Sequence, residues 1–198
     1  MSSESHTTDF CNGQIIYHPN WLTPKNSDKF LSQLKQMLPW KSDTIRFMGK
    51  EHSIPRLHAW IADSNINYSY SGISLDINPW SSVTKELKTL CEQSCQYHFN
   101  SMLANYYRNG SDSNGWHADN EKELGTNPLI AIISFGQVRR LSIRSNDNHK
   151  AKLDYDLAHG SLIIMKGELQ HQTQHCLRKT KKDCTERISL TFRLTNSQ

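Results

Sequence analysis

The chain has 198 residues, 36% of them hydrophobic and 9% aromatic, and carries 23 Lys and Arg against 19 Asp and Glu for a formal net charge of +4. That size suits a single domain with a substantial core; the aromatic content and lack of low-complexity tracts exclude a disordered chain, and no apolar run approaches the length needed to span a bilayer. A pI near 8.8 permits a polyanionic partner without demanding one.

Residues 1–13 read as a flexible polar tail, and 14–198 as one domain. The opening "MSSESHTTDF" lacks the basic-then-apolar order of a secretory signal, so a cytoplasmic or nuclear location is expected, with no membrane partner. Five cysteines without a CxxC pair read as free thiols in a reducing compartment.

From Ser27, Phe30, Leu31, Leu34, Met37 and Leu38 share one helical face, with Ser27 as the expected N-cap. A second helix is expected after Pro79 and Ser81–Ser82, where Val83, Leu87, Leu90, Cys91, Phe99, Met102 and Leu103 recur at helical spacing. Beyond it the pattern changes. The stretches 129–136, 139–145, 152–158, 161–165 and 187–194 are short, rich in β-branched residues and bounded by Gly, Asn or Asp, which predicts successive strands. Helices followed by strands give an α+β class, with a two-sheet β-roll or barrel in the second half.

Chemistry concentrates in three places. In "WHAD", His117 and Asp119 are two residues apart, so an extended backbone sends both side chains to one face. Two histidines and a carboxylate with open positions form the donor set of non-haem Fe(II) oxygenases, but His-x-Asp alone is a weak signal that loop hydrogen bonding also produces. A third ligand could come from "KGELQHQTQHC", where His171 and His175 are four apart. The segment has no HExxH glutamate, and spacing does not choose between them. A structural zinc site on that pair is the competing expectation. In the last predicted strand, "RISLTFR", Arg187 and Arg193 are six apart and therefore share a face. Two guanidiniums turned inward would each need an anion, and a small dicarboxylic acid would serve both through paired hydrogen bonds; turned outward, they would be ordinary surface charges.

Taken together, "NYYRNGSDSNGWHADNE", "GSLIIMKGELQHQTQH" and "RISLTFR" resemble the AlkB-type DNA repair dioxygenases, from about Phe47 to Arg193, and most of all those members with a hairpin that probes double strands. The resemblance implies a jelly-roll, or double-stranded β-helix, over about 104–195, flanked by N-terminal helices and a nucleotide-recognition lid over about 45–80. It implies Fe(II) held by His117, Asp119 and His175, with 2-oxoglutarate and O2 as co-substrates. Asn105 and Arg193 would hold the carboxylate next to the metal, and Tyr107 and Arg187 the distal one. The family often has Asn at the position of Ser189, whose shorter hydroxyl would weaken one bond to the co-substrate.

On the substrate side, Tyr68 and Tyr70 resemble the lid aromatics, Glu121 the acidic residue near the exocyclic amine of a damaged base, and Trp60 a pocket wall. A flipped base needs such stacking partners, although core packing would also explain the aromatics. Phe47, Met48 and Gly49 resemble the wedge inserted into duplexes, and Arg178, Lys179, Lys181 and Lys182 would meet phosphates, or form a solvated loop. The implied reaction is oxidative demethylation of 1-methyladenine and 3-methylcytosine in DNA, with release of formaldehyde, by a monomer. RNA, a protein side chain, or a non-catalytic nucleic-acid-binding β-roll are the alternatives.

Overall fold

The computed structural model describes residues 4–47, 50–64, 66, 69–70, 73–74 and 76–196. The chain runs through a hairpin of β1 (His6–Phe10) and β2 (Gly13–His18), then α1 (Pro24–Met37). A second hairpin, β3 (Thr44–Phe47) and β4 (Lys50–Ser53), precedes β5 (Leu57–Ala62), the short pair β6 (Ser69–Tyr70) and β7 (Ile73–Ser74), and α2 (Ser82–Cys95). There follow β8 (Ser101–Tyr107), β9 (Asn114–His117), a 3-10 turn at Lys122–Leu124, β10 (Ile130–Gly136), β11 (Arg139–Ser145) and β12 (Lys152–Leu157). The chain closes with β13 (Ser161–Gly167), the one-turn α3 (Leu169–Gln172), β14 (Thr173–Leu177) and β15 (Arg187–Arg193).

Two sheets carry the architecture. The larger has the order β1-β2-β13-β10-β15-β8-β5, the smaller β12-β11-β14-β9, and this is the expected jelly-roll with helices added. Strand alternation divides the apolar residues between two cores. Ala131, Ile133, Phe135, Leu162, Ile164, Ile188, Leu190 and Phe192 cluster with Phe30 and Leu34 of α1 and Leu87 and Cys91 of α2. Ile130, Ile132, Ile163 and Met165, on the opposite faces of the same strands, cluster with Leu141 and Ile143 of β11 and Leu157 of β12. The site opens from this second, inter-sheet layer.

The five predicted strands appear as β10, β11, β12, β13 and β15, within two residues of the expected limits. Three expectations need correction. The tail at 1–13 contains β1, paired with β2 over five positions; Cys11 and Asn12 take the left-handed φ values of 46° and 54° that a tight two-residue hairpin turn requires. The first helix starts one turn earlier than Ser27. Thr23 is its N-cap, accepting from Asn26 N at 3.3 Å, with Pro24 pre-set for the first helical position. Ser27 instead lies within the helix, fully buried, its hydroxyl donating to the Thr23 carbonyl. The second helix stops at Cys95, where Gln96 turns left-handed. Met102 and Leu103 belong to β8 and face opposite cores, so their helix-like spacing is coincidental.

No described helix is long and apolar enough to cross a membrane. All five cysteines are free. The lid segment carries β4 to β7 and most of β3, and β3 and β4 pair antiparallel.

The crossing from the large sheet to the small one, between β8 and β9, is tied by a single carboxylate. Asp112 is 4% exposed and accepts from Arg108 N at 2.9 Å, Nε at 2.8 Å and Nη2 at 2.9 Å. Burial pushes its pKa up, but the hydrogen bonds from Arg108 outweigh that and hold it below the ordinary carboxylate value. A depressed folded pKa stabilises the protein above the unfolded value and is lost as pH falls through it. Asp112→Ala should therefore cost about 1–3 kcal/mol at neutral pH. In urea titrations the gap from the parent protein should narrow below about pH 4; a gap independent of pH would contradict the ionic role.

Candidate metal centre

β14 pairs with β9 so that His175 lies directly opposite His117, and the ring centroids are 4.2 Å apart. Asp119 follows two residues beyond the end of β9. One potential ligand atom from each of His117, Asp119 and His175 lies within 4.8 Å of the other two. Between the His117–His175 and Asn114–Leu177 pairs β9 carries one residue more than β14, while β14 keeps an unbroken register with β11, in which His175 lies opposite Ile143. His171 is excluded: it sits exposed on α3, where its Nε2 accepts from Asn127 N at 3.3 Å.

The donor atoms suit a divalent cation. His117 Nδ1 lies 2.8 Å from the Gly115 carbonyl, which can only accept, so Nδ1 carries the proton and Nε2 keeps its lone pair. Burial, reinforced by the neighbouring His117, lowers the His175 pKa from 6.5 to about 3 and keeps that ring neutral. Burial likewise lowers that of His117, partly offset by Asp119. For Asp119, burial acts to raise the pKa, but the field of Arg193 and its hydrogen bond outweigh it and hold the group below the ordinary carboxylate value. Asp119 Oδ1 accepts from Arg193 Nη2 at 2.8 Å in a fully buried ion pair. Its Oδ2 is buried and has no hydrogen-bond partner among the described residues. Two neutral imidazoles and a carboxylate with one oxygen to spare fit Fe(II).

Next to these three residues lies a cavity whose walls include Asn105, Tyr107, Arg187, Ser189 and Arg193, with Leu103, Ile132, Leu141 and Leu157 as apolar lining. The alternation along β15 places Arg187, Ser189, Thr191 and Arg193 on the cavity side, all 6% exposed or less. The inward reading of the two arginines therefore holds, and they are not alike. Arg193 meets Asp119, whereas Arg187 makes no salt bridge among the described residues. Its Nη2 donates to Ser134 Oγ at 2.8 Å, its guanidinium lies 5.3 Å from the centre of the Tyr107 ring, and its Nε has no described partner. Burial lowers its pKa to about 10. A cation held in this way presents an anion-binding group to the cavity.

Two neighbours of the site carried no sequence signal. Arg56, 6% exposed, donates from Nε to Asn105 Oδ1 at 2.8 Å and from Nη1 to the Ser113 carbonyl at 3.2 Å. Because a guanidinium only donates, it fixes the Asn105 amide with its oxygen toward Arg56 and its NH2 group turned away. Ser134, on β10, supplies the acceptor for Arg187. Both act across about fifty residues of sequence, beyond any local motif.

The expected substrate residues are placed unevenly. Glu121 caps the 3-10 turn just after Asp119 and is half-buried. Trp60 is 1% exposed and belongs to the inter-sheet core with Ile66, Leu103 and Leu124. Arg178, Lys179, Lys181 and Lys182 are exposed on the loop between β14 and β15, beside a groove that also takes in Arg139 and Arg140. Met48, Gly49 and Tyr68 lie outside the described residues; of Phe47 and Tyr70 only the strand backbone is described.

Comparison with known proteins agrees with this geometry. The 2OG-Fe(II) oxygenase superfamily matches residues 14–193. The human alpha-ketoglutarate-dependent dioxygenase alkB homolog 3 is 36% identical over 189 residues, which cover 91% of this chain and 65% of the human protein; the chain thus spans just under two thirds of that relative. The mouse DNA oxidative demethylase ALKBH2 is 33% identical over 178 residues, covering 84% of this chain and 74% of the relative. The solved structure of OsALKBH1 shares the fold, with a TM-score of 0.67 at 14% identity, covering 96% of this chain and 100% of that one.

An unpaired buried cation is costly without its anion. Arg187→Met should leave the apoprotein's stability unchanged or raise it, by up to about 3 kcal/mol, while abolishing calorimetric binding of 2-oxoglutarate to the Mn(II)-loaded protein. A variant that is destabilised yet still binds would mean that Arg187 serves the fold alone.

Proposed function

The chain belongs to the 2OG-Fe(II) oxygenase superfamily and, within it, to the AlkB-type dioxygenases, and on that premise we propose that it removes N-methyl groups oxidatively from 1-methyladenine and 3-methylcytosine in DNA. The observation that carries this reading is a single cavity. It joins two neutral histidines and a carboxylate to a buried arginine that has no acidic partner among the described residues.

In this reading His117, Asp119 and His175 hold Fe(II). Asn105 and Arg193 hold the nearer carboxylate of 2-oxoglutarate, with Ser189 beside them, and Tyr107 and Arg187 hold the distal one. When bound, the metal, together with 2-oxoglutarate and O2, supplies the oxidising power to hydroxylate an N-methyl carbon, and the product then loses formaldehyde. The rest is positioning. Arg56 turns the Asn105 amide so that its donor is free for an anion. Leu103, Ile132, Leu141 and Leu157 keep water from the reacting centre, which strengthens every charge interaction there. Orientation of the methyl group toward the metal lowers the barrier without any nucleophilic side chain.

The nucleobase assignment rests on Glu121, two residues after Asp119 in the chain, and on the family's substrates. Tyr68 and Tyr70 would stack on the flipped base, Trp60 would back them from the core, and Phe47, Met48 and Gly49 would fill the gap left in a duplex. Arg178, Lys179, Lys181 and Lys182 would meet phosphates, giving an affinity that falls with salt.

The direct test supplies Fe(II), 2-oxoglutarate, ascorbate and O2 with a 3-methylcytosine oligonucleotide as single-stranded DNA, duplex DNA and RNA. Loss of the methyl group with matching succinate and formaldehyde is expected on DNA, and none of it with His175→Ala. Succinate without demethylation would keep the oxygenase and reject the nucleobase. Turnover on RNA alone would reject DNA, and no succinate at all would reject the metal reading.

A further inference from the structure

Asp119 is the metal-centre residue with the least backbone support. It lies two residues past the end of β9, where no ladder hydrogen bond holds the chain. Its amide instead finds a partner 51 residues away: Asp119 N donates to Gln170 Oε1 at 3.0 Å.

Gln170 sits on α3, in a turn that is itself well fixed. Leu169 is fully buried in the inter-sheet core, the Thr173 hydroxyl donates to the Leu169 carbonyl at 2.6 Å, and Asn146 Nδ2 donates to the His171 carbonyl at 2.8 Å. The Gln170 side chain is 1% exposed. Its orientation is dictated by chemistry, because a backbone N–H can only donate, so the amide oxygen must face Asp119 and the NH2 group must face away. On that far side Nε2 meets the Met165 sulfur at 3.7 Å, a weak acceptor. A methionine or leucine would fill the same space without burying an amide NH2 against a thioether. What neither offers is an acceptor for Asp119 N–H.

We infer that Gln170 is a positioning residue for the metal, anchoring the Asp119 backbone so that Arg193 can hold one carboxylate oxygen while the other is left for the ion. Three of the polar atoms of Asp119 then have separate tasks. The amide is held by Gln170, Oδ1 by Arg193 at 2.8 Å, and Oδ2 is available. Without the first of these anchors the loop can rotate about the Arg193 bond, and the free oxygen loses its fixed relation to His117 and His175. This inference rests on the Fe(II) reading above.

The test compares the parent chain with Gln170→Met and, as a packing control on the same turn, Leu169→Val. Mn(II) affinity is measured by calorimetry on apoprotein, Co(II) coordination by visible absorption, and Tm without metal. Gln170→Met should keep or raise the apoprotein Tm, weaken Mn(II) binding by roughly 10- to 100-fold and alter the Co(II) spectrum. Leu169→Val should lower Tm and leave both metal readouts unchanged. Equal Mn(II) affinity and an unchanged Co(II) spectrum in Gln170→Met would overturn the inference, as would metal affinity that falls with Tm in both variants alike. Should Gln170→Met fail to fold, amide exchange by NMR on the parent apoprotein decides: an Asp119 amide that exchanges as fast as an exposed loop amide overturns the anchor. A protected Asp119 amide in a parent chain that binds no Mn(II) would sink the metal reading while leaving the hydrogen bond in place.

Discussion

Two guanidinium groups lie buried on one face of β15, and much of the interior is arranged around the need to neutralise them. Charge in a low-dielectric interior is tolerated only when it is paired or hydrogen-bonded. Arg193 satisfies that condition by reaching Asp119, which also keeps the carboxylate ionised and leaves it one oxygen. Arg187 satisfies it only in part, through Ser134 and the face of Tyr107. The strand can carry this polar face because its other face is wholly apolar. Ile188, Leu190 and Phe192 are fully buried against the helices, so the same seven residues anchor the fold and line the cavity.

The candidate metal ligands depend on pairing in the smaller sheet. His117 and His175 face each other because β9 and β14 are neighbours, and their shared burial keeps both rings in the neutral form that a metal requires. The third candidate, Asp119, comes from a loop, so the centre combines two donors set by strand register with one set by long-range hydrogen bonds. Such a division is economical in sequence: the strands need only correct alternation, and the loop needs a few buried polar residues at distant positions.

That division also explains which parts could be read from the sequence. The alternation of "RISLTFR", the spacing of His117 and Asp119 and the apolar runs of β10 and β13 are local signals, and each survives in the structure. The choice of His175 over His171 was not local. It depends on a one-turn helix that carries His171 away from the strand on which His175 lies, and among the described residues it is His175 that gathers with His117 and Asp119. The end of α2 was misjudged because Phe99, Met102 and Leu103 imitate a helical stripe while belonging to a loop and to the two faces of a strand. The β1–β2 hairpin was overlooked because its turn, Cys11–Asn12, places the positive φ on residues other than glycine. Arg56 and Ser134 were invisible, since a buried polar partner fifty residues away leaves no pattern in either chain segment.

The position of β15 has a consequence for how the molecule comes into being. It is the last strand among the described residues, yet it lies inside the larger sheet, hydrogen-bonded to β10 on one side and β8 on the other. During synthesis, β8 and β10 must therefore leave the ribosome with facing edges unfilled and with the apolar surfaces that will cover Ile188, Leu190 and Phe192 still open. Exposed strand edges of this kind are the usual starting point for association between nascent chains. Neither the arginine face nor the closed sheet can exist until translation has passed residue 193. A ribosome stalled shortly before that point would hold a protein with His117, Asp119 and His175 already made and no Arg193 to pair with the Asp119 carboxylate.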